Sequence, residues 1–148
     1  MADSPSATGS RTGVFPARLE ILPEIAAFVE AFCAGHAVGR DAALRLVLIV
    51  EELATNTVLH GHRGESGGSI TIMLTRGIGD VALFYEDAAP AYDPIPALAQ
   101  SRAPLDTALE ARPLGQLGLR LVGQFAAAVR YAREEGHNRL WLSVDCTD

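Results

Sequence analysis

A hydrophobic stretch in the middle of the chain restricts the possible folds more than any other feature. Residues 44–50 are apolar almost all round a helix, and Asp41 is placed to cap the N-terminus of that helix. A helix without a continuous polar face has to be covered by other elements. The sequence therefore predicts a buried helix from Asp41 to about His60, which the glycine-rich residues 61–68 bring to an end.

Segments with strand or helix periodicity flank this helix on both sides. They predict a strand at 14–20, a helix from Pro23 to Gly35, a hairpin of 69–75 and 81–86, a third helix at 117–125, and a closing hairpin of 129–133 and 140–144 that turns at 135–138. Helices and antiparallel hairpins that alternate in blocks are typical of helices packed on one face of a sheet. We therefore expect an α+β fold, a two-layer sandwich of a mixed, mainly antiparallel sheet with helices on one face.

The chain has 148 residues, which is enough for one domain with a hydrophobic core. Residues 1–13 are rich in serine, alanine, glycine and threonine, so we expect a flexible N-terminal tail before a single domain at 14–148. Residues 87–114 contain five prolines and little periodicity. A loop of that length inside a compact domain is usually functional or mobile.

Composition argues against several classes of protein. The net charge of -6 and the lack of a basic stretch do not fit a protein held on nucleic acid by its phosphates. The longest apolar run is too short to span a bilayer, and the first residues lack the apolar segment of a secretory signal. Cys33 and Cys146 form no metal-binding pattern, and Cys33 falls where a small core residue would. We expect a cytoplasmic protein that contacts neither nucleic acid nor a membrane directly.

Two polar residues lie on one face of the predicted buried helix. Glu52 and Asn56 are four residues apart, so their side chains project to the same place. An asparagine oxygen is a suitable ligand for Mg²⁺, and a neighbouring carboxylate could take a proton from an attacking hydroxyl group. The alternative is that Glu51, Glu52 and Asn56 form a solvated face where the helix ends.

Two further segments could complete a nucleotide site. Asp87 follows a predicted strand, where a carboxylate can accept a hydrogen bond from the exocyclic amine of adenine. The alternative for Asp87 is a turn-forming role. Gly115 and Gly118 precede the third helix, where glycines let backbone amides approach phosphates and the helix N-terminus favours negative charge. The alternative there is an ordinary loop, because two glycines at this spacing are a weak signal.

In this order and spacing, the three segments resemble the N, G1 and G2 boxes of the GHKL ATP-binding superfamily. More closely, the chain resembles the anti-sigma serine-protein kinases of partner-switching systems (RsbW-like), over about residues 15–144. The resemblance implies ATP and Mg²⁺ as ligands and transfer of the γ-phosphoryl group to a serine of an anti-anti-sigma partner of the STAS type. It also implies that the protein holds a sigma factor inactive and forms a homodimer.

The resemblance assigns roles to the residues of the first two boxes. Glu52 matches the candidate general base that activates the acceptor serine. Asn56 matches the Mg²⁺ ligand, and Asp87 matches the aspartate that recognises adenine.

The resemblance also assigns roles to the third box and to the lid. The third box matches the turn of Gly115, Gln116, Leu117 and Gly118, with Gly118 as the phosphate-side glycine. Residues 95–114 match the ATP lid, and Arg112 near its end matches a contact for phosphate or for a partner.

Two residues depart from the family's pattern. Ala89 stands where glycine is usual two residues after the adenine-recognising aspartate, and its methyl group would narrow the approach to adenine unless φ is negative. Gln116 stands where a second glycine is common, which would remove one amide contact to phosphate. Both departures favour the alternative of a non-catalytic nucleotide-binding module in a partner switch. A third hypothesis, the ATP-binding half of a histidine kinase, lacks support because no helix carrying a phosphoacceptor histidine is found.

Overall fold

The computed structural model describes residues 9–61, 68–96 and 122–146 of the chain. Within these ranges the chain forms, in order, β1 (Ser10–Pro16), a 3-10 turn (Leu19–Ile21), α1 (Leu22–Gly35), α2 (Arg40–Asn56), a π-helical turn (Thr57–Gly61), β2 (Ser69–Arg76), β3 (Asp80–Asp87), β4 (Ala127–Glu134) and β5 (His137–Asp145). Residues 122–125, just before β4, are also helical. The helices and hairpins therefore follow one another in the predicted blocks.

The strands form a five-stranded sheet in the order β1-β2-β3-β5-β4. Each of the four described pairings is antiparallel. Every second side chain of the three central strands is buried: Ile70, Ile72 and Leu74 in β2, Val81, Leu83, Tyr85 and Asp87 in β3, and Asn138, Leu140, Leu142 and Val144 in β5. Successive side chains of a strand point to opposite faces, so one face of this sheet carries the core. The predicted α+β fold class is confirmed.

The two α-helices form the second layer. The side chains that they bury follow helical spacing: Ile25, Val29, Phe32 and Cys33 in α1, and Ala42, Leu46, Val47, Ile49, Val50, Leu53 and Ala54 in α2. Except for Ala42, these side chains form one hydrophobic cluster with the apolar inward residues of the sheet. Pro23 lies in the first turn of α1, where a helix does not need its missing N–H. The core is therefore the interface between the helix layer and the sheet.

α2 differs from its prediction in three respects. Leu44 is 59% exposed and Leu48 is 36% exposed, so the helix is not covered all round. Gly39 is the N-cap residue, and Asp41 lies inside the first turn, where the helix dipole still favours a carboxylate. The regular α-helix ends at Asn56, and the chain continues to Gly61 as a π-helical turn.

β1 begins and ends four residues earlier than predicted. It runs from Ser10 to Pro16, and residues 10–13, which were expected to belong to a flexible tail, pair with β2. The Ser10 and Thr75 hydroxyl groups lie 2.9 Å apart across this pairing. A polar composition that suggests a tail is therefore compatible with an edge strand, because cross-strand hydroxyl pairs stabilise it. Residues 1–8 of the predicted tail lie outside the described ranges.

The closing hairpin turns more tightly than predicted. Only Glu135 and Gly136 connect β4 to β5, and both have positive φ, at 52° and 79°. A two-residue type I′ turn requires positive φ at both positions. Asn138, which was expected to belong to the turn, is therefore a residue of β5.

Cys33 is the small core residue that the sequence predicted, with 2% of its surface exposed. Burial, and after it the nearby Cys146, raise the pKa of Cys33 to about 11. Cys146 is partly exposed, and its Sγ accepts a hydrogen bond of 2.9 Å from Nη1 of Arg76. The two thiols therefore stand in different environments.

A pair of matched substitutions in α2 tests this packing. Leu46 is fully buried, whereas Leu44 on the same helix is mostly exposed. We expect Leu46→Ala to lower the free energy of unfolding by about 2–5 kcal/mol, because it removes buried methyl groups and leaves a cavity. Leu44→Ala should change it by less than about 0.5 kcal/mol. Urea denaturation followed by circular dichroism measures both, and equal losses at the two positions would contradict the described core.

Candidate functional site

A cleft opens where the C-terminal end of α2, the segment that follows β3, and the β4–β5 hairpin meet. Its volume is about 180 Å³, and Asn56, Asp87 and Asn138 are among the residues that line it. Pockets for drug-sized ligands commonly measure about 300–1,000 Å³. The described residues therefore enclose room for one ring system rather than for a whole nucleotide. The structure thus brings Asn56 and Asp87 together, and their roles in binding stay predictions.

Asp87 is the last residue of β3 and is almost fully buried. Its Oδ2 accepts a hydrogen bond from Thr57 Oγ1 at 2.8 Å. Its Oδ1 accepts two, from Asn138 Nδ2 at 2.9 Å and from the backbone N–H of Ala89 at 3.0 Å. Among the described residues no basic side chain forms an ion pair with Asp87. Neutral donors therefore hold this carboxylate in place.

Thr57 links Asp87 to a second buried hydroxyl group. The single hydroxyl proton of Thr57 has two acceptors in range, Leu53 O at 3.0 Å and Asp87 Oδ2 at 2.8 Å. A carboxylate is the stronger acceptor, so we assign the proton to Asp87. The Tyr85 hydroxyl group, 2.6 Å from Thr57 Oγ1, then donates to Thr57. Burial raises the pKa of Tyr85 well above its usual value, so the phenol keeps the proton that this bond requires.

Asn138 and Thr57 are site residues that the sequence reasoning missed. The sequence pattern predicted Asn138 in a turn. It assigned no role to Thr57, although Thr57 follows Asn56 directly. A signal for Asn138 was present: it begins an alternation with Leu140, Leu142 and Val144, and so stands at an inward position of a buried strand. No comparable signal marked Thr57, because its partners lie 28 and 30 residues away in the sequence.

Glu52 lies one helical turn before Asn56, half-buried. Asn56 lines the cleft, whereas Glu52 is not among the described residues that line it. Burial, and after it the negative charge of Glu51, raise the pKa of Glu52. A carboxylate with a raised pKa accepts a proton more readily than an ordinary glutamate. The role of Glu52 as a general base stays a prediction.

Ala89 fits its position without backbone strain. The described non-glycine residues with positive φ do not include it, so the usual glycine is not required for the backbone. Its methyl group is buried at the cleft wall. Its carbonyl oxygen accepts a hydrogen bond of 2.7 Å from Nη1 of Arg133 on β4. The alanine is therefore accommodated in the cleft wall without distorting the loop.

Several predicted site residues lie outside the described ranges: Arg112, Gly115, Gln116, Leu117 and Gly118, together with the lid from residue 97 onward. In the described ranges no group of three or more His, Cys, Asp or Glu side chains is arranged to hold a metal ion. Mg²⁺ usually takes only one or two protein ligands beside phosphates and waters, so a single ligand such as Asn56 fits this ion. The described helices include none that is long and apolar enough to cross a membrane.

The fold and the cleft together define a class of protein. An antiparallel sheet covered by helices, with a helix-end asparagine and a buried strand-end aspartate at one cleft, is the arrangement expected of a GHKL ATP-binding domain. Residues 15–144 match the family described as histidine kinase-like ATPase domain. The chain belongs to this family, and the resemblance seen in the sequence is confirmed.

A relative narrows the class further. The chain is 34% identical over 98 residues to the serine/threonine-protein kinase BtrW of Bordetella bronchiseptica. The aligned region covers 66% of this chain and 67% of that protein. This similarity agrees with the resemblance to RsbW-like kinases.

Thr57→Val tests the hydrogen-bond relay beneath the cleft. The substitution preserves the shape of the side chain and leaves the Tyr85 hydroxyl group and Asp87 Oδ2 without their shared partner. We expect the free energy of unfolding to fall by about 1–3 kcal/mol, measured by urea denaturation. Thr55→Val, on a partly exposed residue in the last turn of α2, is the matched control and should have a smaller effect. Additive effects of Thr57→Val and Tyr85→Phe in a double-mutant cycle would contradict the relay.

Proposed function

We propose that this domain is an ATP-dependent serine/threonine protein kinase whose cleft holds the adenine ring against Asp87. The acceptor capacity of Asp87 carries the proposal. A carboxylate has about four acceptor positions, and Thr57, Asn138 and the N–H of Ala89 occupy three of them. The described residues thus leave one position on Oδ2 for a donor in the cleft. The exocyclic amine of adenine is such a donor, whereas guanine presents a carbonyl oxygen at the same position.

Asn56 is the residue that would hold Mg²⁺ in this proposal. Its amide oxygen is a ligand of the type that Mg²⁺ prefers, and it lies at the cleft that contains Asp87. When bound, the ion would supply positive charge that neutralises the charge developing on the phosphate groups during transfer.

Glu52 is proposed as the general base. In the transfer, the hydroxyl oxygen of the acceptor serine forms a bond to the γ-phosphorus of ATP. The bond from that phosphorus to the oxygen bridging the β- and γ-phosphates breaks, and ADP leaves. The hydroxyl proton passes to the Glu52 carboxylate, whose raised pKa favours this step.

The proposed acceptor is a serine of an anti-anti-sigma protein of the STAS type, and the domain would also sequester a sigma factor. Support comes from the sequence resemblance and from the relative, which is named a serine/threonine-protein kinase. A homodimer is proposed on the same resemblance. The alternative function is a module that binds nucleotide and partner without phosphate transfer. One observation favours it: Glu52 is not among the described residues that line the cleft.

Phosphate transfer to a partner is the direct test of the kinase. The protein is incubated with ATP, Mg²⁺ and a STAS-domain protein as the acceptor, and mass spectrometry follows phosphoserine. Glu52→Gln should lower the transfer rate by about 10²–10⁴-fold, because it removes the base, and should leave the ATP affinity measured by calorimetry near its original value. Glu24→Gln, on an exposed residue of α1, is the control and should change neither.

The outcomes of that test separate the two functions. Transfer at the original rate by Glu52→Gln would remove Glu52 from its role. A protein that binds ATP and yields no phosphoserine would be the non-catalytic module.

The pH dependence of the transfer rate tests the pair of Glu51 and Glu52. The base has to be ionised, so the rate falls as the pH drops through the pKa of Glu52, which burial and then Glu51 raise. Glu51→Gln removes the negative neighbour and lowers that pKa, so the acid limb of the pH–rate profile should move to lower pH. Single-turnover rates measure this, with Glu24→Gln as the control. An acid limb that stays in place or moves upward would refute the coupling.

A further inference from the structure

Asn138 is a polar residue on the inward face of β5. The other inward residues of this strand are apolar and buried, and Asn138 itself is 9% exposed. A buried amide is unfavourable unless its groups are hydrogen-bonded. In the pairing of β3 with β5, Asn138 lies directly opposite Asp87. The register of the sheet therefore places this amide beside the carboxylate at the base of the cleft.

The amide nitrogen of Asn138 holds both Asp87 and the segment that follows it. Nδ2 donates to Asp87 Oδ1 at 2.9 Å and to the carbonyl oxygen of Pro90 at 3.0 Å. The carbonyl oxygen of Ala89 also lies in range, at 3.3 Å. One nitrogen atom thus connects the end of β3 to the loop that forms a wall of the cleft.

The amide oxygen of Asn138 holds two more groups at the cleft. Oδ1 accepts a hydrogen bond from the Tyr131 hydroxyl group at 2.6 Å and from the backbone N–H of Tyr92 at 3.2 Å. A backbone N–H can only donate, and the carbonyl oxygen of Pro90 can only accept, so the partners determine which end of the amide is which. The side chain therefore has one orientation, with its donor end towards Asp87.

This orientation makes the two oxygens of Asp87 unequal. Asn138 and the N–H of Ala89 both donate to Oδ1 and use its two acceptor positions. Among the residues that the structure describes, Thr57 alone donates to Oδ2, so one acceptor position on this oxygen is not used by them. Without Asn138, each oxygen would have one donor, and the carboxylate could present either of them to a ligand.

Arg133 provides a second attachment for the same loop. Its Nη1 donates to the carbonyl oxygen of Ala89 at 2.7 Å. The loop therefore stays joined to the β4–β5 hairpin when Asn138 is replaced. We therefore expect a substitution at Asn138 to change the orientation of the carboxylate and of the loop while the cleft itself persists.

We infer that Asn138 is a positioning residue that sets the orientation of the Asp87 carboxylate and thereby the preference of the cleft for adenine over guanine. This inference rests on the proposed nucleotide function. Asn138 acts through Asp87 and through the loop of Ala89 and Pro90.

Asn138→Asp tests the inference through pH. The substitution keeps the oxygen that serves Tyr131 and Tyr92 and turns the donor that faces Asp87 into an acceptor. At about pH 8 the variant should bind ATP about tenfold or more weakly than the original protein, with a smaller preference for ATP over GTP. At about pH 5.5 two facing carboxyl groups share one proton, which restores the hydrogen bond, so most of the affinity should return. Calorimetry with Mg²⁺ and each nucleotide measures the ratio of variant to original affinity at each pH.

Two controls accompany this experiment. His137→Asp places the same charge on the opposite face of β5 and should show no recovery at low pH. Among the described residues, the other charged or titratable groups beside the pair or at the cleft are Arg133 and the phenols of Tyr85, Tyr92 and Tyr131. Free guanidinium and phenol groups titrate well above this pH range. Titration of the nucleotide itself cancels in the ratio of the two affinities.

The results that would overturn the inference differ from those that would overturn the proposed function. The role of Asn138 is overturned if Asn138→Asp leaves the affinity and the nucleotide preference unchanged at the higher pH. It is also overturned if the affinity falls equally at both pH values. Asn138→Leu removes the donor without adding a charge and should lose the preference for ATP over GTP at both pH values. This variant therefore tests the inference if Asn138→Asp does not fold. An original protein that fails to prefer ATP over GTP contradicts the proposed function, whatever the variants do.

Discussion

The cleft depends on a buried carboxylate that no cation neutralises in the described part of the chain. Asp87 is 6% exposed, and a buried charge is tolerated only where hydrogen bonds replace the water that it has lost. Its three donors come from three places: the turn after α2, strand β5, and the loop after β3. The helix layer and the pairing of β3 with β5 must therefore be assembled before this charge is stable. Formation of the cleft and formation of the fold are one event.

The neutrality of these donors matters for what the cleft can bind. An arginine beside Asp87 would engage both oxygens in a bidentate pair and cancel the charge. Arg133 is close by, but it donates to the carbonyl oxygen of Ala89 and not to Asp87. In the described part of the chain no cation therefore cancels the charge of the Asp87 carboxylate, and one acceptor position on Oδ2 is not used. A carboxylate in this state selects a ligand that donates a hydrogen bond, and it disfavours a ligand that presents an oxygen.

Hydrophobic periodicity predicted most of the helices and strands. The order of the three motifs predicted two of the residues at the cleft, Asn56 and Asp87. The hairpin of β2 and β3 and the helix α1 followed directly from alternation and helical spacing, because those signals are local. Asn56 and Asp87 could be placed together only through the order of the three motifs. The side-chain donors to Asp87 were not predicted from the sequence. Thr57 and Asn138 are 30 and 51 residues away from Asp87 and contact it only in the packed fold. The start of β1 at Ser10 was not predicted for another reason. A polar edge strand has the same kind of composition as a flexible terminal tail.

The environment of Cys33 makes this thiol a natural reporter of core opening. Thiolate is the form that alkylating reagents attack, and with a pKa of about 11 roughly one Cys33 side chain in ten thousand is ionised at neutral pH. Helix α1 also has to leave the sheet before a reagent can reach it. We therefore expect alkylation of Cys33 to report separation of the helix layer, and the partly exposed Cys146 to react without that separation.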